Sequence, residues 1–176
     1  MRRGTLWRCL SRSVRIRPAE VSDVGLVLSL VSELAEYERA ADQATGTAAD
    51  LESALFGERP IVEVVIAEVD RRPAGFALYF HNFSTWLCKP GLYLEDLYVR
   101  PEHRGSGVGR ALMSHVADVA VRRGCVRLEW AVLRWNTPAI GFYERIGAQH
   151  LDEWEGFRLT GGALAELARD APGHGR

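Results

Sequence analysis

The stretch Arg104-Gly105-Ser106-Gly107-Val108-Gly109-Arg110 lies between an aromatic, apolar run, Leu92 to Val99 (LYLEDLYV), and a segment in which Val108, Leu112, Val116, Val119 and Ala120 recur at three- and four-residue steps. The run reads as a strand ended by Arg100-Pro101, and the segment as a helix from about Gly107 to Arg123 with Gly124 as its stop. Glycines in such a turn let the backbone approach a ligand, and the first unbonded amides of the helix point outward, which suits an anion. Two anion codes fail on spacing. There is no Gly-Lys-Ser/Thr ending, so the lysine of a P-loop is missing. The Rossmann fingerprint needs its glycines directly at the strand end, whereas Arg100-Pro101-Glu102-His103 intervene and the third glycine comes one residue early. The plain alternative is a flexible turn with a glycine-rich helix start.

Upstream, Ser13 to Pro18 alternates as a half-buried strand. Val24, Val27, Leu28, Val31, Leu34 and Ala35 mark an amphipathic helix over Glu20 to Glu38, with Ser22 and Asp23 suited to its start. Thr47 with Asp50 reads as the cap of a short second helix carrying Leu51, Ala54 and Leu55. Val62–Val69 and Gly75–Phe83, split by Asp70-Arg71-Arg72-Pro73, form a predicted antiparallel hairpin. Downstream, Val126–Val132 is a predicted strand, Pro138–Arg145 a short helix closed by Gly147, and a hairpin is expected at the end of the chain. Hairpins mixed with one strand-helix-strand unit argue an α+β or mixed α/β sheet rather than a doubly wound parallel one.

The bulk properties narrow the classes. A chain of 176 residues, 47% apolar and 26% charged, has ordinary globular composition and room for one domain. A formal net charge of −1 offers no general attraction to phosphate backbones, so no nucleic-acid partner is expected. Three scattered cysteines, Cys9, Cys88 and Cys125, form no CxxC pair and stand near no histidine cluster, so no metal and a reducing, cytoplasmic setting are expected. No apolar run reaches the roughly 18–20 residues of a membrane span, and no membrane partner is expected. The basic first twelve residues read as a disordered extension or an early start site, with a transit peptide as the other reading; residues 13–176 are expected to form a single domain.

Arg104, Gly107 and Gly109 fit Arg/Gln-x-x-Gly-x-Gly, which resembles the coenzyme A signature of the GNAT acetyltransferases. Within that superfamily the chain resembles the diamine acetyltransferase group over about Val14 to Ala168. The blocks that carry the likeness are Leu34-Ala35-Glu36-Tyr37-Glu38, Phe56-Gly57-Glu58, Tyr93-Leu94-Glu95-Asp96, His103 to Gly109, Trp135-Asn136 with Phe142-Tyr143, and Gly147-Ala148. The resemblance implies a central mixed, mostly antiparallel sheet of about six to seven strands flanked by helices, acetyl-CoA as co-substrate, and a homodimer with the pocket near the subunit interface.

Acetyl transfer to an amine sets a definite problem: an alkylammonium with pKa near 10.4 is only about one part in 2,500 neutral at pH 7. The resemblance implies that Glu95 accepts the proton through water and that Tyr143, seven residues after Asn136, donates one to the departing thiolate. Each has a plainer reading, Glu95 as a structural acceptor and Tyr143 as a packed ring beside Phe142. By the same resemblance, Leu97, Tyr98 and Val99 pair with the pantetheine arm, and the Leu97 amide polarises the thioester carbonyl. Arg104, Gly105, Ser106, Gly107, Val108, Gly109 and Arg110 hold the pyrophosphate, and Asn136 with Ala139 touches the coenzyme near its amides.

Glu38, Glu95, Asp96, Glu129 and Glu155 are expected to line an acidic mouth that draws in a small cationic amine, with Tyr37 and Trp86 flanking it. Ser84-Thr85 precede Trp86 where polyamine-acetylating relatives carry an acid, and Phe157 follows Glu155-Gly156 where they carry a tryptophan. These departures favour an amino acid or small amine over a long polyamine. Two other readings stay open: acetylation of a protein lysine or N-terminus, and a non-catalytic sensor of acetyl-CoA.

Overall fold

The computed structural model describes residues 13–172; the basic first twelve lie outside the described residues. The chain divides into two compact units, Met1–Ala131 and Val132–Arg176.

The first unit opens with β1 (Val14–Pro18), followed by α1 (Val24–Tyr37) and α2 (Ala48–Phe56). α2 starts where the sequence placed its cap: the Asp50 amide donates to Thr47 Oγ1 at 3.2 Å, and the Thr47 amide to the Asp50 carboxylate at 3.0 Å. β2 (Glu63–Val69) and β3 (Arg72–Ser84) join through Asp70 and Arg71, at φ 53° and 62°. Positive φ at both positions is what a two-residue type I′ hairpin turn requires. β4 (Lys89–Val99) runs back along β3, α3 (Val108–Arg122) crosses over, and β5 (Leu128–Trp130) returns parallel to β4.

The sheet order is β1-β2-β3-β4-β5, antiparallel except for the last pair. Alternation sends Val64, Ile66, Phe76, Leu78 and Tyr98 to one face, where they meet Val27, Leu30 and Leu34 of α1 and Leu55 of α2. α3 packs along β1 to β4 and buries Val108, Leu112, Met113, Val116 and Val119. This is the expected mixed α/β sheet flanked by helices.

The second unit contains α4 (Thr137–Arg145) and α5 (Gly161–Arg169). No strand forms among its described residues, so the sheet has five strands rather than six to seven, and the expected terminal hairpin is absent. Ala163, Leu164, Ala165, Glu166, Leu167 and Ala168 are strong helix formers and make a helix instead.

Candidate active site

β4 is two strands in one. From Lys89 to Leu94 it is built into the sheet, with β3 along one side and β5 pairing as Leu92–Leu128, Tyr93–Glu129 and Leu94–Trp130. At Glu95 the β3 pairing slips: Leu78 faces Asp96 while Tyr79 faces Leu94, so Glu95 is the extra residue of a β-bulge. β5 pairing stops at the same point. Glu95 to Val99 therefore keeps β3 on one side and has no strand on the other among the described residues.

The direction of the backbone groups along this open stretch follows from two contacts. The Arg100 amide donates to Ala74 O on the β3 side at 2.9 Å, and a Cβ built on Gly75 of β3 would stand 2.2 Å from Tyr98 O. Alternation then turns the peptide groups of Leu97 and Val99 to the open edge and the Tyr98 carbonyl toward β3. Of the three residues expected to pair with an extended ligand, Leu97 turns its peptide groups and Val99 its amide to the open edge, the Val99 carbonyl accepting from Arg104, whereas Tyr98 contributes a buried ring beneath them.

The edge leads into the glycine loop. After a single 3₁₀ turn, Pro101–His103, Gly105 and Gly107 take φ of 73° and 92°, and Gly107 is the residue from which α3 begins. The amides of Val108, Gly109 and Arg110 have no carbonyl one turn earlier to bond, and the positive end of the helix dipole adds to their pull on an anion. Ser106 Oγ donates to His103 O at 2.6 Å, which ties the loop to itself. Arg104 points back: its Nε donates to Val99 O at 2.9 Å, and its guanidinium stacks 4.4 Å from the Tyr37 ring centroid and 5.8 Å from that of Tyr98. The cation expected over Tyr37 is thus the chain's own. Arg100 fixes the base of the loop, gripping Glu33 of α1 with Nε and Nη2 at 3.0 and 2.6 Å and holding that carboxyl below its usual range.

Beside the bulge the structure gathers three of the expected acids. Asp96 lies on the α1 face of the sheet, as its partner Leu78 does. Its carboxyl is pushed up to about 6, first by burial and then by the charges of Glu95 and Glu38. Glu38, the residue that closes α1, is raised by burial as well. Three carboxylates next to the negative end of a helix make a surface that favours a cation.

Two other expected residues stand farther along the sheet. Glu129 on β5 accepts from Asn82 Nδ2 at 2.7 Å and pairs with Arg127 Nε at 2.9 Å, so its charge is balanced. Trp86 caps the β3–β4 hairpin, 87% exposed, and the six strand steps from Lys89 to Glu95 hold it roughly 20 Å from the bulge.

In the second unit, Asn136 caps α4, its side chain accepting from the Ala139 amide at 3.4 Å. Tyr143 lies two turns on, so Asn136, Ala139 and Tyr143 share one side of that helix. Tyr143 is half-buried, its ring centroid 5.4 Å from that of Phe142. Glu155 is exposed in a stretch without regular structure.

Sequence reasoning missed the bulge, Gly75, Gly91, Asn82 and Arg127. A strand pattern does not reveal where a ladder slips, but two glycines inside strands, Gly75 and Gly91, are a signal of close backbone or side-chain approach.

An open strand edge running into the bare amides of a helix, with acids at the break, can be set beside known proteins. The pattern of the Acetyltransferase (GNAT) family matches residues 28–148. The chain is 42% identical over 166 residues to the thialysine N-epsilon-acetyltransferase of Bos taurus, covering 88% of this chain and 97% of that one. It is 33% identical to the L-ornithine N5-acetyltransferase NATA1 of Arabidopsis thaliana, with 87% of each chain covered. Among solved structures, an integron cassette protein from the mobile metagenome of V. cholerae superposes with a TM-score of 0.75 at 32% identity, over 89% of this chain and 98% of that one. Shared sequence along nearly the whole length and a shared backbone lead to one assignment: the chain belongs to the GNAT acetyltransferase family.

Proposed function

We propose that this N-acetyltransferase moves the acetyl group of acetyl-CoA to the side-chain amine of a small cationic molecule, an amino acid in preference to a long polyamine. The observation that carries this reading is the bulge at Glu95, because one break in the sheet opens the β4 edge and starts the acid cluster. Relatives that share most of the chain are named for acetylating thialysine and ornithine. GNAT acetyltransferases use acetyl-CoA as co-substrate, and the residues fit it: the amides of the Gly105–Arg110 loop suit the pyrophosphate, and the edge groups of Leu97 and Val99 suit the amides of the pantetheine arm.

In this reading Glu38, Glu95 and Asp96 bind the ammonium, and Glu95 takes its proton, directly or through water. The neutral nitrogen bonds to the acetyl carbon while the carbon–sulfur bond breaks. The Leu97 amide donates to the carbonyl oxygen, Tyr143 supplies the proton that the sulfur takes up, and the second proton that nitrogen sheds as the amide forms restores the phenol through solvent. We read both units as one catalytic domain, since the family pattern runs across Ala131–Val132. A homodimer with the pocket near its interface, in the cytoplasm, completes the proposal; Cys88 and Cys125 are unpaired, in keeping with a reducing compartment.

Coenzyme A release measured across thialysine, lysine, ornithine, putrescine, spermidine and a lysine peptide tests this. Turnover of the amino acids above spermidine and the peptide is expected, with intersecting initial-rate lines. Preference for the peptide, or no release with any amine, overturns it.

A further inference from the structure

The face of the sheet that carries Asp96 continues, past the bulge, to a second group of polar side chains. Phe80 lies two residues from Leu78 on β3 and faces Tyr93; their ring centroids are 5.4 Å apart. Tyr93 in turn pairs with Glu129, so Asp96, the Phe80–Tyr93 pair and Glu129 share one face. The β3 partners of Asp96 and Tyr93, Leu78 and Phe80, are two residues apart, and that spacing with one step across to β5 places the Asp96 and Glu129 backbones about 8 Å apart. A chain of about four or five atoms, crossing the two rings, bridges the side chains that reach in from those positions.

What stands at the far end is not a bare acid. Arg127 and Glu129, 37% and 27% exposed, form an ion pair with Nε 2.9 Å from Oε2, although the buried Nε makes no hydrogen bond. Asn82 donates to the same Oε2, and Arg127 Nη2 donates to Phe83 O at 3.3 Å. Glu129 Oε1 and Arg127 Nη1 take no partner among the described residues. One acceptor and one donor of opposite charge thus stand side by side. Gly91 permits the arrangement: a Cβ there would stand 2.3 Å from Asn82 Oδ1 and 2.9 Å from Arg127 Cγ.

We propose that Arg127 and Glu129 read the zwitterionic head of an α-amino acid, Arg127 taking the carboxylate and Glu129 the α-ammonium, while the side-chain amine enters the Glu38–Glu95–Asp96 cluster. The inference rests on the acetyl-transfer reading above and makes Arg127 the residue that separates amino acids from diamines of the same length. A second ammonium alone meets Glu129 but also the adjacent guanidinium, and it leaves Nη1 without an anion.

The test uses the full chain with L-lysine and 1,5-diaminopentane, which differ by the carboxylate, in coenzyme A release and in calorimetric binding with coenzyme A present. Arg127→Gln is expected to lower the lysine-to-diamine ratio of kcat/KM about tenfold, mainly through KM for lysine; Arg127→Lys restores part of it. Gly91→Ala, which pushes Asn82 and Arg127 off the strand, lowers the ratio in the same direction. Glu129→Gln weakens both ligands, since each has a second ammonium. A ratio unmoved by Arg127→Gln, or an equal fall for both amines, overturns the proposal. Lysine that binds in an Arg127-dependent way without being acetylated overturns acetyl transfer and keeps the site. Turnover with an unmoved ratio does the reverse, and neither binding nor turnover overturns both.

Discussion

The two halves of β4 are one continuous strand with opposite surroundings. From Lys89 to Leu94 the strand pairs with β3, its last three residues pair with β5 as well, and Leu92 and Leu94 are buried. From Glu95 to Val99 it has one neighbouring strand, a charged kink and an edge that no strand of the described residues covers. The first half spends its backbone on the sheet and its side chains on the core. The second withholds both, and chemistry becomes available because structure does not consume it.

If that division holds, damage to the two halves has different symptoms. The largest effect is expected for Glu95→Gln in the open half, which lowers kcat by about 10²–10⁴-fold while the melting temperature moves by less than about 2 °C. A melting temperature that falls with kcat would mean that Glu95 supports the sheet instead. Leu92→Ala in the paired half inverts the pattern: a loss of about 2–5 kcal/mol of stability from an emptied core position, read by denaturant titration, with KM for acetyl-CoA within about twofold at a temperature where the variant is folded. A subtler effect is expected at Asp96. Its folded carboxyl, near 6, is above its unfolded value, so the folded state binds the extra proton and stability falls as pH rises from about 4 through 6. Asp96→Asn removes that penalty, on the order of 2–3 kcal/mol at pH 8, and changes little at pH 4. In the native enzyme the same proton competes with the cation, so KM for the amine should rise as pH falls below about 6, a range in which the amine itself stays protonated. A flat KM between pH 5 and 8 would remove Asp96 from the amine site.

Much of the fold was legible because its signals are local. The Thr47–Asp50 cap, the spacing of Val27, Leu34 and their neighbours, and the glycine turn before α3 each report on contacts within a few residues, and each element stands where it was expected. The C-terminal hairpin was misjudged because short apolar runs do not specify a strand without a sheet edge to receive them, and Ala163 to Ala168 favour a helix wherever they lie. At the site, the motif residues were visible one at a time, but their grouping was not. That Glu38 lies near Asp96 while Glu129 faces Arg127 depends on register, which a sequence with no alignment does not display.

Register also makes the bulge a matter of counting. A strand alternates its faces like odd and even numbers, and Glu95 is the one digit that breaks the series, leaving Tyr93 and Asp96 on the same side although three positions separate them. Deleting that single residue would restore perfect parity and give a tidier ladder against β3. The polypeptide would be one amino acid shorter, more regular, and mute, since the carboxylate at the break exists only where the arithmetic fails.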